Sequence, residues 1–434
     1  MSPAPTNGAP TPATQTLAAA RARDASDPLR FLRARFALPT AANGEPVLYL
    51  CGHSLGLMPL DARRFVEQEL DDWARLGVLG HEEALRPWIA YHENLTAPLA
   101  ALCGALPEEV VAMNSLTVNL HLMLASFYRP SGRRTKILIE AGAFSSDRHA
   151  VTSQLSWHGA DPQTNLIELA PASGSQCIDA DAIDACLERH GPEIALVLWP
   201  GVQFRTGQAF DLVRIVQAAH AAGCVAGLDL AHSIGNVPLA LHACEADFAV
   251  WCSYKYLNGG PGAIGGCFVH QRHVRGAPAA RLQGWWGHEQ QTRFRMEPLF
   301  RAAAGAAAWQ ISNPPILAAA PLLAALSVFE EATMQRLRAK SIELTGFLET
   351  LLRPLAPALE LITPVDPDAR GSQLSVRVSG GRGREVLQRL LQRGVICDWR
   401  DPDLIRMAPV PLYNRFEDVF QAAGRLAQAL AETA

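Results

Sequence analysis

A lysine stands at the mouth of a strand in the run Asp247-Phe-Ala-Val-Trp-Cys-Ser-Tyr-Lys255-Tyr-Leu-Asn-Gly-Gly-Pro-Gly-Ala-Ile-Gly266. An apolar stretch of strand length leads into Ser253, Tyr254 and Lys255. A glycine-rich turn follows before a second apolar stretch at 267–270. A lysine amine taken out of water gives up its proton readily and forms a Schiff base with an aldehyde. Glycines next to it let a flat ligand approach the backbone. By itself the pattern also describes a solvated loop lysine, so a second feature has to separate the two.

That feature is Gly227-Leu-Asp229-Leu-Ala-His232-Ser-Ile-Gly235, another short apolar strand, whose terminal acid lies 26 residues before the lysine. A carboxylate there holds a pyridine nitrogen protonated and keeps the ring an electron sink. An aspartate followed one strand later by a lysine is the order expected of pyridoxal 5'-phosphate (PLP) enzymes with an aminotransferase-like core.

Further candidates sit where elements end. Ser115 and Thr117 precede the apolar stretch 122–127 and serve either as caps or, with the free N–H groups of a helix start, as a phosphate site. Phe144 suits the face of a pyridine ring or packs as a loop phenylalanine; Asp147 meets the ring's phenolic side or anchors its loop. Ser54 lies in a tight Gly-His-Ser-Leu-Gly turn, where its hydroxyl faces a ligand or merely precedes a helix. His81 is a loop histidine, Trp285 carries an indole N–H for phosphate or substrate, and Asn313 stands at the stop Ser312-Asn-Pro-Pro315. Arg406, on a short strand, grips a carboxylate with two hydrogen bonds or lies at the surface.

These residues need a scaffold, and the spacing supplies one. Strands over 136–140, 194–199 and 224–229 alternate with helices such as 212–222, which predicts an α/β chain with a large, mainly parallel sheet. Loops at the carboxyl ends of such strands make the ligand crevice. Helices are also expected over 18–37, over 61–75 with Phe65, Leu70 and Trp73 on the apolar side, over 302–311, and over 316–352 with a break at Pro321. A small α+β domain follows, with strands over 373–378 and 395–398 and helices over 383–393 and 416–430. The expected division is a flexible N-terminal tail and arm over 1–45, a large PLP-binding domain over 46–312 and a small C-terminal domain over 313–434.

Composition narrows the function further. The 434 residues, 49% hydrophobic, suffice for a large core. A formal net charge of -4 leaves no basic excess for a phosphodiester backbone, and no apolar stretch is long enough to span a bilayer; neither nucleic acid nor membrane is an expected partner. Nine cysteines, an odd number without a Cys-x-x-Cys pair, read as buried thiols of a reducing compartment. The histidines show no His-Glu-x-x-His, so no metal site is expected. Residues 1–16 lack the apolar segment of a signal peptide, and the expected location is the cytoplasm.

The runs Gly52-His-Ser-Leu-Gly-Leu, Leu116-Thr-Val-Asn-Leu-His, Val202-Gln-Phe-Arg-Thr-Gly-Gln, Leu228-Asp-Leu-Ala-His, Trp251-Cys-Ser-Tyr-Lys-Tyr-Leu-Asn, Gly284-Trp-Trp-Gly-His, Ile311-Ser-Asn-Pro-Pro and Ala408-Pro-Val-Pro-Leu-Tyr-Asn resemble, in this order, the kynureninase family. The resemblance covers about residues 47–425. It implies the PLP-dependent transferase-like fold (fold type I) and a homodimer with PLP at the subunit interface. It also implies a small-molecule amino acid substrate, L-kynurenine or its 3-hydroxy form, hydrolysed at Cβ–Cγ to anthranilate or 3-hydroxyanthranilate plus L-alanine.

On the matching motifs, Lys255 carries PLP and then takes the Cα proton, Asp229 meets the pyridine nitrogen, His232 supports that edge and Phe144 stacks on the ring. The Leu116 backbone, Thr117, Tyr254 and Trp285 belong to the phosphate side, and Asn313 reaches in from the other part of the site. Arg406 matches the arginine that holds the substrate carboxylate; His81, Ser312 and Asn313 match positions near the aryl group; Tyr254 is the candidate proton donor. The chain departs from the pattern at His53, where many relatives have Asn, and at Pro200, where some have Ser. The competing reading, a cysteine desulfurase of the same fold, needs a cysteine on a mobile loop.

Overall fold

The computed structural model describes residues 16–42, 44–275 and 280–433, so the tail expected over 1–16 lies almost wholly outside the described residues. Along the chain, strand β1 (Leu48–Tyr49) is followed by β2 (Val110–Ala112), β3 (Lys136–Glu140), β4 (Leu166–Leu169), β5 (Ile194–Pro200), β6 (Val225–Asp229), β7 (Phe248–Trp251) and β8 (Gly266–Val269). The C-terminal part adds β9 (Leu359–Leu361), β10 (Leu374–Val378), β11 (Val395–Ile396), β12 (Asp398–Arg400) and β13 (Leu404–Met407).

The large sheet has the order β2-β8-β7-β6-β5-β3-β4. Its central pairings, from β4 through β7, are parallel, and β8 joins antiparallel to both β7 and β2. The unbroken apolar runs of β5 and β7 are explained by burial on both faces. Successive residues feed two different cores: Leu138, Val197 and Trp199 pack on one side, Ile139, Leu196 and Leu198 on the other. The second sheet, β12-β13-β10-β9, is antiparallel and backs a third core with Phe347, Val419 and Leu426.

Helices cover the sheets, with several departures from the spacing. The expected helix over 18–37 is helical only at Leu17–Ser26 and continues as a 3-10 stretch, Arg30–Arg35. That over 302–311 is a 3-10 stretch, Gly305–Trp309, because Gly305 enters it with a φ of +68° and its Cβ position lies 2.3 Å from the Glu108 carbonyl. The long helix breaks at Thr333, whose φ is +60°, and not at Pro321, which sits inside Ile316–Ala332. Its two parts bend by 81°, and among the described residues no single helix is long and apolar enough to cross a membrane. Ala319 to Leu337 contribute to the core under the large sheet, whereas Leu344, Phe347 and Leu348 belong to that of the small one.

The Ala62–Leu76 helix departs from expectation at two of the three positions. Phe65 packs against the core, but Leu70 and Trp73 are exposed, 42% and 61%, while Glu69 and Asp72 are buried. The acids face inward because they clamp the following loop. Glu69 accepts from Arg86, Trp88 Nε1 (3.0 Å) and Tyr91 Oη (3.2 Å), and Asp72 accepts from the Leu85 N–H (3.1 Å).

Candidate active site

Parallel register sets Pro200, Asp229 and Val250 side by side at the carboxyl ends of β5, β6 and β7, and β3 ends beside them at Glu140. The loops leaving these ends enclose one pocket. Leu116, Thr117, Phe144, Asp147, Asp229, His232, Tyr254 and Lys255 all line it. Lys255 follows β7 in a turn closed by Asn258 N–H to the Lys255 carbonyl (2.9 Å) and Gly259 N–H to that of Ser253 (2.8 Å). The Gly52–Gly56 turn is wedged against it: the Gly56 N–H donates to the Tyr254 carbonyl at 2.8 Å, and a Cβ on Gly56 would lie 2.3 Å from the Lys255 carbonyl oxygen. Only glycine fits there.

The chain has three lysines, at 136, 255 and 340. Lys136 pairs with Glu193, and Lys340 with Asp27 at 2.8 Å. Lys255 makes no ion pair among the described residues; its Nζ lies 5.7 Å from the Phe144 ring centroid and 5.8 Å from that of Tyr254. The scarcity of lysine was a signal in the sequence that motif reading alone passes over.

Three buried acids form one end of the pocket: Glu140, Asp147 and Asp229. Asp229 accepts from the Ala231 N–H at 2.7 Å, and its charge acts on the neighbouring Asp147. Burial, then the charge of Asp229, pushes the Asp147 carboxyl well up. Burial likewise pushes Glu140 up to about 8, against the hydrogen bond from Gln203 Nε2 (3.3 Å). Oε2 of Glu140, Oδ1 of Asp147 and Nδ1 of His232 are buried without a hydrogen-bond partner among the described residues. His232 is held well below its ordinary range, first by burial and then by the positive charges of Lys255 and Arg406. An end so rich in acid suits a cationic ring.

The opposite end suits an anion. The Leu116–Phe127 helix begins there, six residues before the stretch read as apolar, and Ser115 makes no side-chain cap. Its first N–H groups have no side-chain partner among the described residues, and Leu116 and Thr117 line the pocket. Thr117 Oγ1 and Ser146 Oγ share a hydrogen bond of 2.6 Å beside them. Gly265 packs against the same backbone, where a Cβ would come within 3.2 Å of the Leu116 nitrogen. Ser146 and Glu140 are pocket residues that the sequence reading did not single out; Ser146 adjoins Asp147, which it did, and Glu140 was read only as the end of a strand.

Other candidates lie elsewhere in the subunit. Asp147 groups with Asp229, so it belongs with the acids and not merely with its own loop. Trp285 is half-exposed in a separate groove with His288 and Arg293. Ser312 and Asn313 are exposed and bonded to each other at 3.2 Å, and His81 is exposed against Trp88. Ser54 is half-buried in the wedged turn. Arg406 is not at the surface: it is wholly buried, one layer behind the pocket wall, where it donates to the Phe204 carbonyl at 2.6 Å. Pro200 lines the pocket without a hydroxyl to offer.

A family model described as the kynureninase C-terminal domain matches residues 337–426. A kynureninase of Xanthomonas campestris pv. campestris (strain B100) is 57% identical over 405 residues, 93% of this chain and 95% of its own length. One of Xanthomonas oryzae pv. oryzae (strain PXO99A) is 55% identical over 410 residues, 94% and 96%. Two solved structures share the fold. A C-DES mutant with glycine covalently linked to its PLP cofactor has a TM-score of 0.76 at 20% identity, covering 88% of this chain and 96% of that one. The cysteine desulfurase CsdA of Escherichia coli has a TM-score of 0.73 at 19% identity, covering 93% and 98%. More than half of the residues are identical to kynureninases along nearly the whole length, and this chain belongs to the kynureninase family.

Proposed function

We propose that the chain is a PLP-dependent hydrolase that splits the Cβ–Cγ bond of L-kynurenine, or of 3-hydroxy-L-kynurenine, into anthranilate, or 3-hydroxyanthranilate, and L-alanine. The observation that carries this is the pocket itself: the lysine that has no carboxylate partner among the described residues, set between an acid end and a helix start. Those two ends fit the pyridinium ring and the phosphate of PLP.

Bound PLP supplies an electron sink for the electrons released at the substrate's Cα. Asp229 accepts the pyridine N–H, Phe144 covers the ring, and Thr117, Ser146 and the Leu116 N–H hold the phosphate. Lys255 would hold the cofactor through its amine, and the same amine, when free, would take the proton from the substrate's Cα. Water adds its hydroxyl to the acyl carbon, Tyr254 gives a proton to the departing Cβ, and the remaining proton of the water restores the Tyr254 phenol. Burial pushes the Tyr254 phenol up, so it holds that proton at neutral pH. Arg406 grips the substrate's α-carboxylate.

A homodimer completes this site. His81, Trp285, Ser312 and Asn313 are exposed and do not line the pocket of their own subunit. An apolar groove of about 740 Å³ runs beside the lysine turn, from Leu55 and Met58 to Val66 and Leu70. Such a surface fits a second copy. The nine free thiols, eight of them buried, fit a reducing compartment such as the cytoplasm. Since none is exposed, the sulfur acceptor that a desulfurase needs has no candidate among the described residues.

Initial rates with both substrates, followed by anthranilate fluorescence, test the reading. Turnover of either supports it; release of sulfide from L-cysteine with no turnover of kynurenine overturns it. Replacing His81 should change the ratio between the two substrates, and a constant ratio would remove it from the aryl end.

A further inference from the structure

We propose that Asp398 is a positioning residue for the substrate's α-carboxylate: it holds the Arg406 guanidinium along one edge and leaves the other edge for that carboxylate, while His53 holds Asp398. Register fixes the pair, because Asp398 lies directly opposite Arg406 across β12 and β13. An arginine has five N–H donors. Nε donates to Asp398 Oδ1 at 2.7 Å, one Nη2 hydrogen to Oδ2 and one Nη1 hydrogen to the Phe204 carbonyl. One N–H on each Nη is left, the pair that makes a two-pronged grip. Phe204 lines the pocket and stands edge-on to Phe144 at 5.2 Å, so the guanidinium lies directly behind the wall of the site.

The charge balance agrees. Asp398 also pairs with Arg400 at 3.3 Å, so two guanidiniums share one carboxylate. His53, wholly buried, donates from Nε2 at 3.2 Å, and burial drives it down to about 4, so it stays neutral. One positive charge in excess is shared between the wholly buried Arg406 and the part-exposed Arg400, and excess charge beside a buried guanidinium is costly. An arriving carboxylate neutralises it. The inference rests on the proposed function only through the grip of Arg406 on an α-carboxylate.

Asp398→Asn keeps the size and turns an amide N–H toward the guanidinium. The KM for kynurenine is expected to rise at least ~10-fold with kcat within about threefold, and the cofactor's absorbance to persist. A second readout needs no turnover. Titration of the PLP-loaded protein with L-alanine and with L-alaninamide, followed by the cofactor band, should show wild-type protein preferring the carboxylate and Asp398→Asn losing that preference. A variant that keeps both its KM and its preference overturns the positioning role. Wild-type protein that binds both ligands alike overturns the Arg406 grip and the inference with it. Wild-type protein that discriminates but leaves kynurenine intact sinks the substrate assignment alone. Should Asp398→Asn fail to fold, His53→Leu removes the hydrogen bond to Asp398 and leaves every bond of Arg406 in place; a reduced alanine preference then supports the role and an unchanged one overturns it.

Discussion

Burial makes Glu140 a carboxyl that keeps its proton near neutrality, with a value of about 8. Its folded pKa stands above its unfolded one, so the stability it contributes is complete below the unfolded value near 4.5 and is lost as pH rises toward 8. In cofactor-free protein, Glu140→Gln should therefore raise the thermal midpoint at about pH 8 by ~2 °C or more, and the gap should close toward about pH 5. Equal midpoints at both would show that Glu140 is not held protonated. Lys255→Ala should give colourless protein and a kcat at least ~10³-fold lower; a yellow variant would remove Lys255 from its role. Lys255 and Asp229 were legible because each ends an apolar strand. Glu140 ends one too, but a strand-end acid has no partner until β3 is known to lie beside β5.

At the scale of elements, the site depends on one turn pressed into another. Gly56→Ala would put a methyl group 2.3 Å from the Lys255 carbonyl oxygen, so one turn has to shift. Overpacking of this kind costs about 1–3 kcal/mol. The expected result is weaker PLP binding and lower kcat with unchanged far-UV circular dichroism; unchanged PLP affinity would mean the lysine turn tolerates the displacement. The strands from β3 to β7 were readable because burial on both faces leaves an unbroken apolar run. The Ala62–Leu76 helix was not, since Leu70 and Trp73 mark a face that the isolated chain leaves open and its acids are spent on Arg86, Trp88 and Tyr91. Likewise the alanines at 302–308 look helical, and only the approach of Gly305 to Glu108 shows why they tighten.

The whole molecule is expected to work as a pair. If a second copy supplies Trp285, then mixing inactive Lys255→Ala with inactive Trp285→Ala should restore activity, since each mixed dimer holds one intact site. Random reassortment gives about a quarter of wild-type activity. No recovery would show that each chain builds its site alone. The resemblance carried the subunit question further than composition did, because exposure at Trp73 or Trp285 has no signature in a single sequence.

The most direct test of the account uses the rarity of lysine. Borohydride reduction of the purified protein, followed by peptide mass mapping, should place the cofactor on the peptide that contains Lys255, leaving those of Lys136 and Lys340 unmodified. Cofactor on either of those two, or on none, would contradict it.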